Sequence, residues 1–204
     1  MLNKENLHKI YLLFCAVIVA YGVFLGLTDG GSFRILSLRM YTYQSNALMV
    51  IGCFLMFALY HKKTPLKYYI SSSVLLAITV TGLVYNFVLV PFSGYNMFYS
   101  SYINFTTHFL APALALINYF VFEQKGYLNF KHVLAGMIYP AVYWVIFISI
   151  GGQIQFYPYF FMNPERVGWP MVFVWFGILL SAFFILGVLL VIYDKKMTQN
   201  KIDG

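Results

Sequence analysis

Six apolar stretches, 10–27, 42–60, 68–90, 103–122, 133–151 and 171–193, run through this chain without a single lysine, arginine, aspartate or glutamate. Each approaches the roughly 20 residues that a helix needs to cross a hydrocarbon layer, where only helices and closed barrels satisfy their own backbone. Composition agrees: 61% of residues are hydrophobic and only 9% are charged, outside the range of a water-soluble domain. The chain therefore reads as one integral membrane domain, 1–204, an all-α six-helix transmembrane bundle with no room for a separate soluble domain. The first stretch follows Lys4 and Lys9 but is long and has no small-residue cleavage signature before Asp29, so it reads as an uncleaved anchor.

The net charge of +7 does not point to nucleic acid, because the basic residues flank the apolar stretches and build no basic face. All ten lysines fall on the amino-terminal segment, the second and fourth loops and the tail, whereas the opposite loops hold only Arg34, Arg39 and Arg166. By the positive-inside rule both termini are cytoplasmic. Tyr95, Phe98, Tyr99 and Tyr102 form an outer aromatic belt, and Tyr60, Tyr68, Tyr69, Tyr127 and Tyr193 an inner one. Cys15 and Cys53 lie within the first two stretches and read as buried free thiols.

No phosphate-binding loop, dinucleotide fingerprint, metal-ligand spacing or nucleophile elbow is present, so neither a metal nor a cofactor is expected. Chemistry then has to come from polar residues inside the helices, and these cluster. The second stretch opens Thr42-Tyr43-Gln44-Ser45-Asn46, the third closes near Tyr85-Asn86, and the fourth opens Asn104-Phe105-Thr106-Thr107-His108. His108 alone among histidines, acids and bases lies inside a stretch, and an ionisable group at membrane depth marks function. Thr42, Ser45 and Asn46 share one helix face, as do Asn104, Thr107 and His108. All these clusters fall at the outer end, where three helix amino-termini favour an anion or a developing oxyanion and Arg34, Arg39 and Arg166 flank the entrance.

Plainer roles stand beside these. Thr42 also suits a helix cap, Gln44, Ser45 and Asn46 suit interhelical bonds, His108 suits a bond to a neighbouring carbonyl, and each arginine suits a lipid headgroup.

The Thr42-x-Gln44-Ser45-Asn46 segment, His108-x-x-x-Pro112, Tyr143-Trp144 and Tyr157-Pro158, in this order along most of the chain, resemble the androgen-induced-gene family. They are most similar to its prokaryotic six-helix branch, the "Pr-six-Pr" membrane proteins. The resemblance implies a bacterial plasma-membrane hydrolase of fatty acid esters of hydroxy fatty acids or related acyl lipids, with Thr42 as nucleophile and His108 as base. Asn46, Asn86 or Asn104 would then serve the oxyanion, and Asp29, Glu165, Tyr157 or Tyr85 would orient the histidine. The partners are the bilayer and an acyl-ester substrate. A non-catalytic lipid-binding, scaffolding or small-molecule transport protein is the alternative, although the helices lack the intramembrane acid and matched helix breaks of many transporters.

Overall fold

The computed structural model describes residues 3–28, 32–62, 64–93 and 101–199, and among them it is helical without strands. Asp29, Lys63, Tyr95, Phe98, Tyr99 and Lys201 lie outside the described residues. Five helices are long and apolar enough to cross a membrane: α1 (Lys4–Leu27), α3 (Pro65–Phe92), α4 (Tyr102–Phe122), α5 (Phe130–Ile150) and α6 (Trp169–Gln199). They fit an integral multi-pass membrane protein. The second stretch forms α2 (Tyr41–Ala58), 18 residues long, whose polar opening from Tyr41 to Asn46 keeps it out of that group of five.

Helix ends follow capping chemistry more closely than hydropathy. Asn3, Thr64, Ser101 and Asn129 each accept a bond from a backbone N–H of the first turn that follows, and Pro65 occupies a first-turn position where its missing N–H costs nothing. For this reason α1 starts six residues before its apolar run, at Lys4 rather than at 10. Pro91 does not stop α3 either. The π-helical turn Tyr85–Leu89 widens the backbone just ahead of it, and the helix continues to Ser93. A second π-turn, Thr106–Leu110, precedes Pro112 in α4.

α3 is the central helix, in contact with α2, α4, α5 and α6, while α1 packs on α2 and along the length of α4. One core cluster joins Leu12, Val19, Met49, Ile78 and Tyr119. A second, aromatic one joins Tyr41, Tyr85, Tyr143, Trp144, Tyr159 and Phe161. Cys15 and Cys53 are free and buried. Large apolar side chains such as Val17, Phe24, Phe87, Ile138, Val145, Phe173 and Ile185 are exposed, as a lipid-facing surface requires.

The bundle ends differ in charge. At one, Lys9 Nζ meets His61 (2.8 Å), the Tyr68 hydroxyl donates to Gln124 (3.5 Å), and Gly126 N–H donates to Asp194 (2.7 Å). These contacts gather the start of α1, the α2–α3 and α4–α5 loops and the tail of α6, the segments that carry the lysines. At the other end Arg34 N–H donates to the Leu27 carbonyl (2.6 Å) and the Tyr143 hydroxyl to the Arg39 carbonyl (2.8 Å).

Asp194 sits beyond the last apolar stretch, yet it is fully buried. Its carboxylate accepts from the Tyr119 hydroxyl (2.9 Å) and from the backbone N–H groups of Gly126 (2.7 Å) and Leu128 (2.9 Å), which clips the tail of α6 to the α4–α5 loop. Abandoning a buried donor costs about 1–3 kcal/mol, so Asp194→Ala should destabilise the protein by roughly 2–4 kcal/mol. Thermal unfolding of the purified protein in detergent checks this, and an unshifted midpoint would count against the clip.

Candidate functional site

The amino-terminus of α2 has no side-chain cap of its own. Two tyrosine hydroxyls from elsewhere in the chain take that place. Tyr41 N–H donates to the Tyr143 hydroxyl of α5 (3.0 Å), and Thr42 N–H to the Tyr159 hydroxyl of the α5–α6 loop (3.3 Å). The Thr42 side chain follows its backbone, with Oγ1 3.5 Å from the same Tyr159 hydroxyl. Gln44 secures the entry by donating to the Leu38 carbonyl (2.7 Å) and accepting from the Tyr139 hydroxyl (2.6 Å).

One turn deeper, the Thr42 carbonyl accepts from Ser45 Oγ (3.0 Å) and Asn46 Nδ2 (2.8 Å). Ser45 also lies 2.8 Å from the Thr81 hydroxyl of α3, and Asn46 donates across to the Thr107 carbonyl of α4 (3.1 Å). Thus Thr42, Ser45 and Asn46 do lie together, and they fasten α2 to both neighbours.

His108 occupies the next position along α4. Its ring stacks on Tyr85, centroids 3.7 Å apart and planes 8° from parallel, with only 7% of the residue exposed. The Thr81 backbone is the hydrogen-bonding group beside the ring. Among the described residues, Nδ1 has no hydrogen-bond partner. Pro112, four residues on, has no N–H to offer the His108 carbonyl, and Asn86 Nδ2 donates to it instead (3.4 Å) while also bonding the Gly82 carbonyl (2.8 Å). The two π-turns thus face each other, one carrying Tyr85 and Asn86, the other His108. Such turns are frequent at functional positions.

Thr42 lines a small cavity of about 60 Å³ between α2, α3, α5 and α6, whose walls include Val84, Leu89, Phe161, Met162 and Phe183. Two of the lining residues, Tyr41 and Trp144, each have a buried polar atom, the hydroxyl and Nε1, without a partner among the described residues. An apolar pocket with a few converging polar groups is the usual form of a small-molecule site. His108 stands behind the wall made by Thr81, and no hydrogen bond joins it to Thr42 among the described residues.

The remaining sequence candidates lie around this centre. Asn104 is half-buried in the first turn of α4 and takes no part in the network. Tyr157 packs over Gly151, and it is Tyr159, two residues further, that reaches Thr42. Arg39 lies over the Phe156 ring (5.5 Å) and Arg166 over Phe160 (5.4 Å), while Arg34 and Glu165 are exposed. Trp144 belongs to the Tyr143-Trp144 pair singled out in the sequence, whereas Tyr159, in a chain with 18 tyrosines, had no mark of its own. Among the described residues no three His, Cys, Asp or Glu side chains are grouped to hold a metal ion. Searches against models of known protein families, curated proteins and solved structures return no match to this chain.

The α3–α4 contact depends on Gly82. A Cβ there would sit 2.9 Å from Pro112 Cγ and 3.0 Å from the His108 carbonyl oxygen, which is backbone and cannot rotate away. Gly82→Ala should therefore cost about 1–3 kcal/mol as overpacking. A melting midpoint equal to wild type would show that α4 does not need this approach.

Proposed function

We propose that the chain is a six-span plasma-membrane hydrolase of acyl-lipid esters, with both termini cytoplasmic, Thr42 as nucleophile and His108 as general base. The observation that carries this reading is a threonine hydroxyl set in the wall of an otherwise apolar cavity, with a buried histidine nitrogen left unpartnered in the adjacent helix. The apolar walls suit an acyl chain, and Tyr41 and Trp144 offer two unused donors to an ester oxygen.

In the proposed reaction the Thr42 hydroxyl attacks the ester carbonyl as its proton passes to His108 Nδ1. The C–O bond to the leaving alcohol breaks, and the imidazolium returns the proton to that alcohol. Water then attacks the acyl-threonine with His108 again as base, releasing the acid and restoring Thr42. Transfer over these positions requires direct reach or one bridging water, so Thr42 has to exchange its contact with Tyr159 for one toward α4 when ester binds. That same contact favours a second reading, a lipid-binding protein without catalysis.

Purified protein in nanodiscs, assayed on fatty acid esters of hydroxy fatty acids and on p-nitrophenyl acyl esters, separates the two. Thr42→Ala and His108→Ala should each lower turnover by about 100-fold or more, the usual contribution of such groups, and Thr42→Ala should also abolish labelling by a fluorophosphonate probe. Binding of the esters with no turnover and no labelling by wild type would leave only the lipid-binding reading.

The topology has its own check. Single cysteines at Lys4, Lys125 and Arg166, in a background where Cys15 and Cys53 are buried, should react with an impermeant maleimide on intact cells only at position 166. Labelling at 4 or 125 would reverse or break the proposed arrangement.

A further inference from the structure

At the lysine-bearing end a separate polar cavity of about 260 Å³ opens between the start of α1 and the α2–α3 and α4–α5 loops. Its floor is Glu123. Ser71 Oγ lies 2.5 and 2.6 Å from its two carboxylate oxygens, Asn118 Nδ2 donates to one at 2.5 Å, and the Tyr127 hydroxyl donates to the other at 2.5 Å. Both oxygens accept, the pattern of an ionised carboxylate. Burial, and after it the neighbouring Glu123, pushes the Tyr127 phenol well above its ordinary pKa, so it remains a donor. The Asn118 amide cannot turn round, because His8 Nε2 occupies its oxygen at 2.9 Å.

The carboxylate has an unfilled position. Three donors supply three hydrogens, since the single Ser71 proton serves only one oxygen at a time, whereas two carboxylate oxygens offer about four lone-pair sites. No lysine, arginine or histidine forms an ion pair with Glu123 among the described residues. Glu123 is half-buried, and the ammonium of Lys125 bonds its backbone carbonyl (2.8 Å) rather than its carboxylate, whose open position is therefore available to a cation. On the cavity walls stand Lys62, exposed, and Lys67, whose ammonium spends one bond on the Tyr60 carbonyl (3.2 Å). The cavity therefore presents one anion at its floor and two cations on its walls.

We infer that this cavity binds a zwitterionic phosphoethanolamine group, its primary ammonium on Glu123 and its phosphate on Lys62 and Lys67. A primary ammonium has three N–H donors for the open carboxylate position, which a quaternary ammonium lacks. Tyr60, one of the aromatic rings lining the cavity, is already attended by the ammonium groups of Lys9 and Lys67, each 4.9 Å from its centroid. Phosphate geometry suits a pair of flexible lysines. The group has two sources, the headgroup of a membrane phospholipid or a soluble phosphodiester, and the site is independent of Thr42 chemistry at the opposite end.

The test uses the full chain in phosphatidylcholine nanodiscs, with bound lipid counted by native mass spectrometry as phosphatidylethanolamine or phosphatidylglycerol is added, and with soluble glycerophosphoethanolamine in a parallel titration. Retention of phosphatidylethanolamine at least tenfold above both other lipids is expected, and Glu123→Gln and Lys62→Ala should each reduce it by tenfold or more. Lys62→Ala alters an exposed side chain and keeps the question answerable if Glu123→Gln does not fold. Binding of the soluble compound at similar strength supports the site with a soluble source, and its failure beside lipid retention supports the headgroup. Equal retention of all three lipids, preference for phosphatidylglycerol, or indifference to both substitutions with no binding of the soluble compound would overturn the inference.

Discussion

A helix in hydrocarbon has to satisfy every backbone polar group from within the protein, because no water is there to do it. Most of this chain meets the condition by ordinary helical bonding. α4 does not meet it unaided, since Pro112 withholds an N–H from the His108 carbonyl. The repair comes from Asn86 on α3, and it works only because Gly82 lets the two helices approach until a Cβ would collide with that carbonyl. The Tyr85–His108 stack forms at the same crossing. A defect in one helix, an amide on the next and a missing side chain together place the histidine.

The start of α2 shows the same principle with a different solution. Its unpaired N–H groups are met by Tyr143 and Tyr159, which arrive from α5 and the α5–α6 loop. Side chains long enough to span that distance leave room beside them, and the cavity at Thr42 is that room. Capping from afar therefore links three parts of the chain and opens a pocket in one step. A cap from a neighbouring serine or aspartate would have satisfied the backbone and left the wall closed.

The location of the helices was legible because hydropathy and charge act on whole segments. Their ends were less so: α1 begins at Asn3's cap and α3 passes Pro91, both decided by local backbone bonding that hydropathy does not register. The polar face of α2 was also legible, since i, i+3 and i+4 spacing places Thr42 with Ser45 and Asn46, whereas on α4 the expected partner of Thr107 and His108, Asn104, takes no part in the network among the described residues. Helical spacing cannot say how two faces rotate toward each other. Thr42 meets Tyr159 and His108 meets Tyr85, contacts between residues far apart in the chain or on different helices. Glu123 and Asp194 escaped notice for a related reason. Each lies just past an apolar stretch and reads as a solvated flank, until the loops fold back and supply hydroxyl and amide donors.

The two ends of the bundle thereby put buried polarity to opposite uses. At the arginine end the polar groups are hydroxyls, amides and one histidine, none of which carries a fixed charge, and the cavity they border is apolar. An uncharged amphiphile can enter such a space without stripping water from an ion. At the lysine end Asp194 is fully buried and Glu123 half-buried, and only Asp194 has its donors arranged as a closed structural clip. Glu123 has similar support but faces a polar cavity with lysines on its walls. Desolvation makes that difference consequential: the fully buried charge repays its cost by holding two segments together, whereas the half-buried one keeps an open position toward the cavity. Burial and position relative to open space together separate the structural carboxylate, Asp194, from the one suited to a ligand, Glu123.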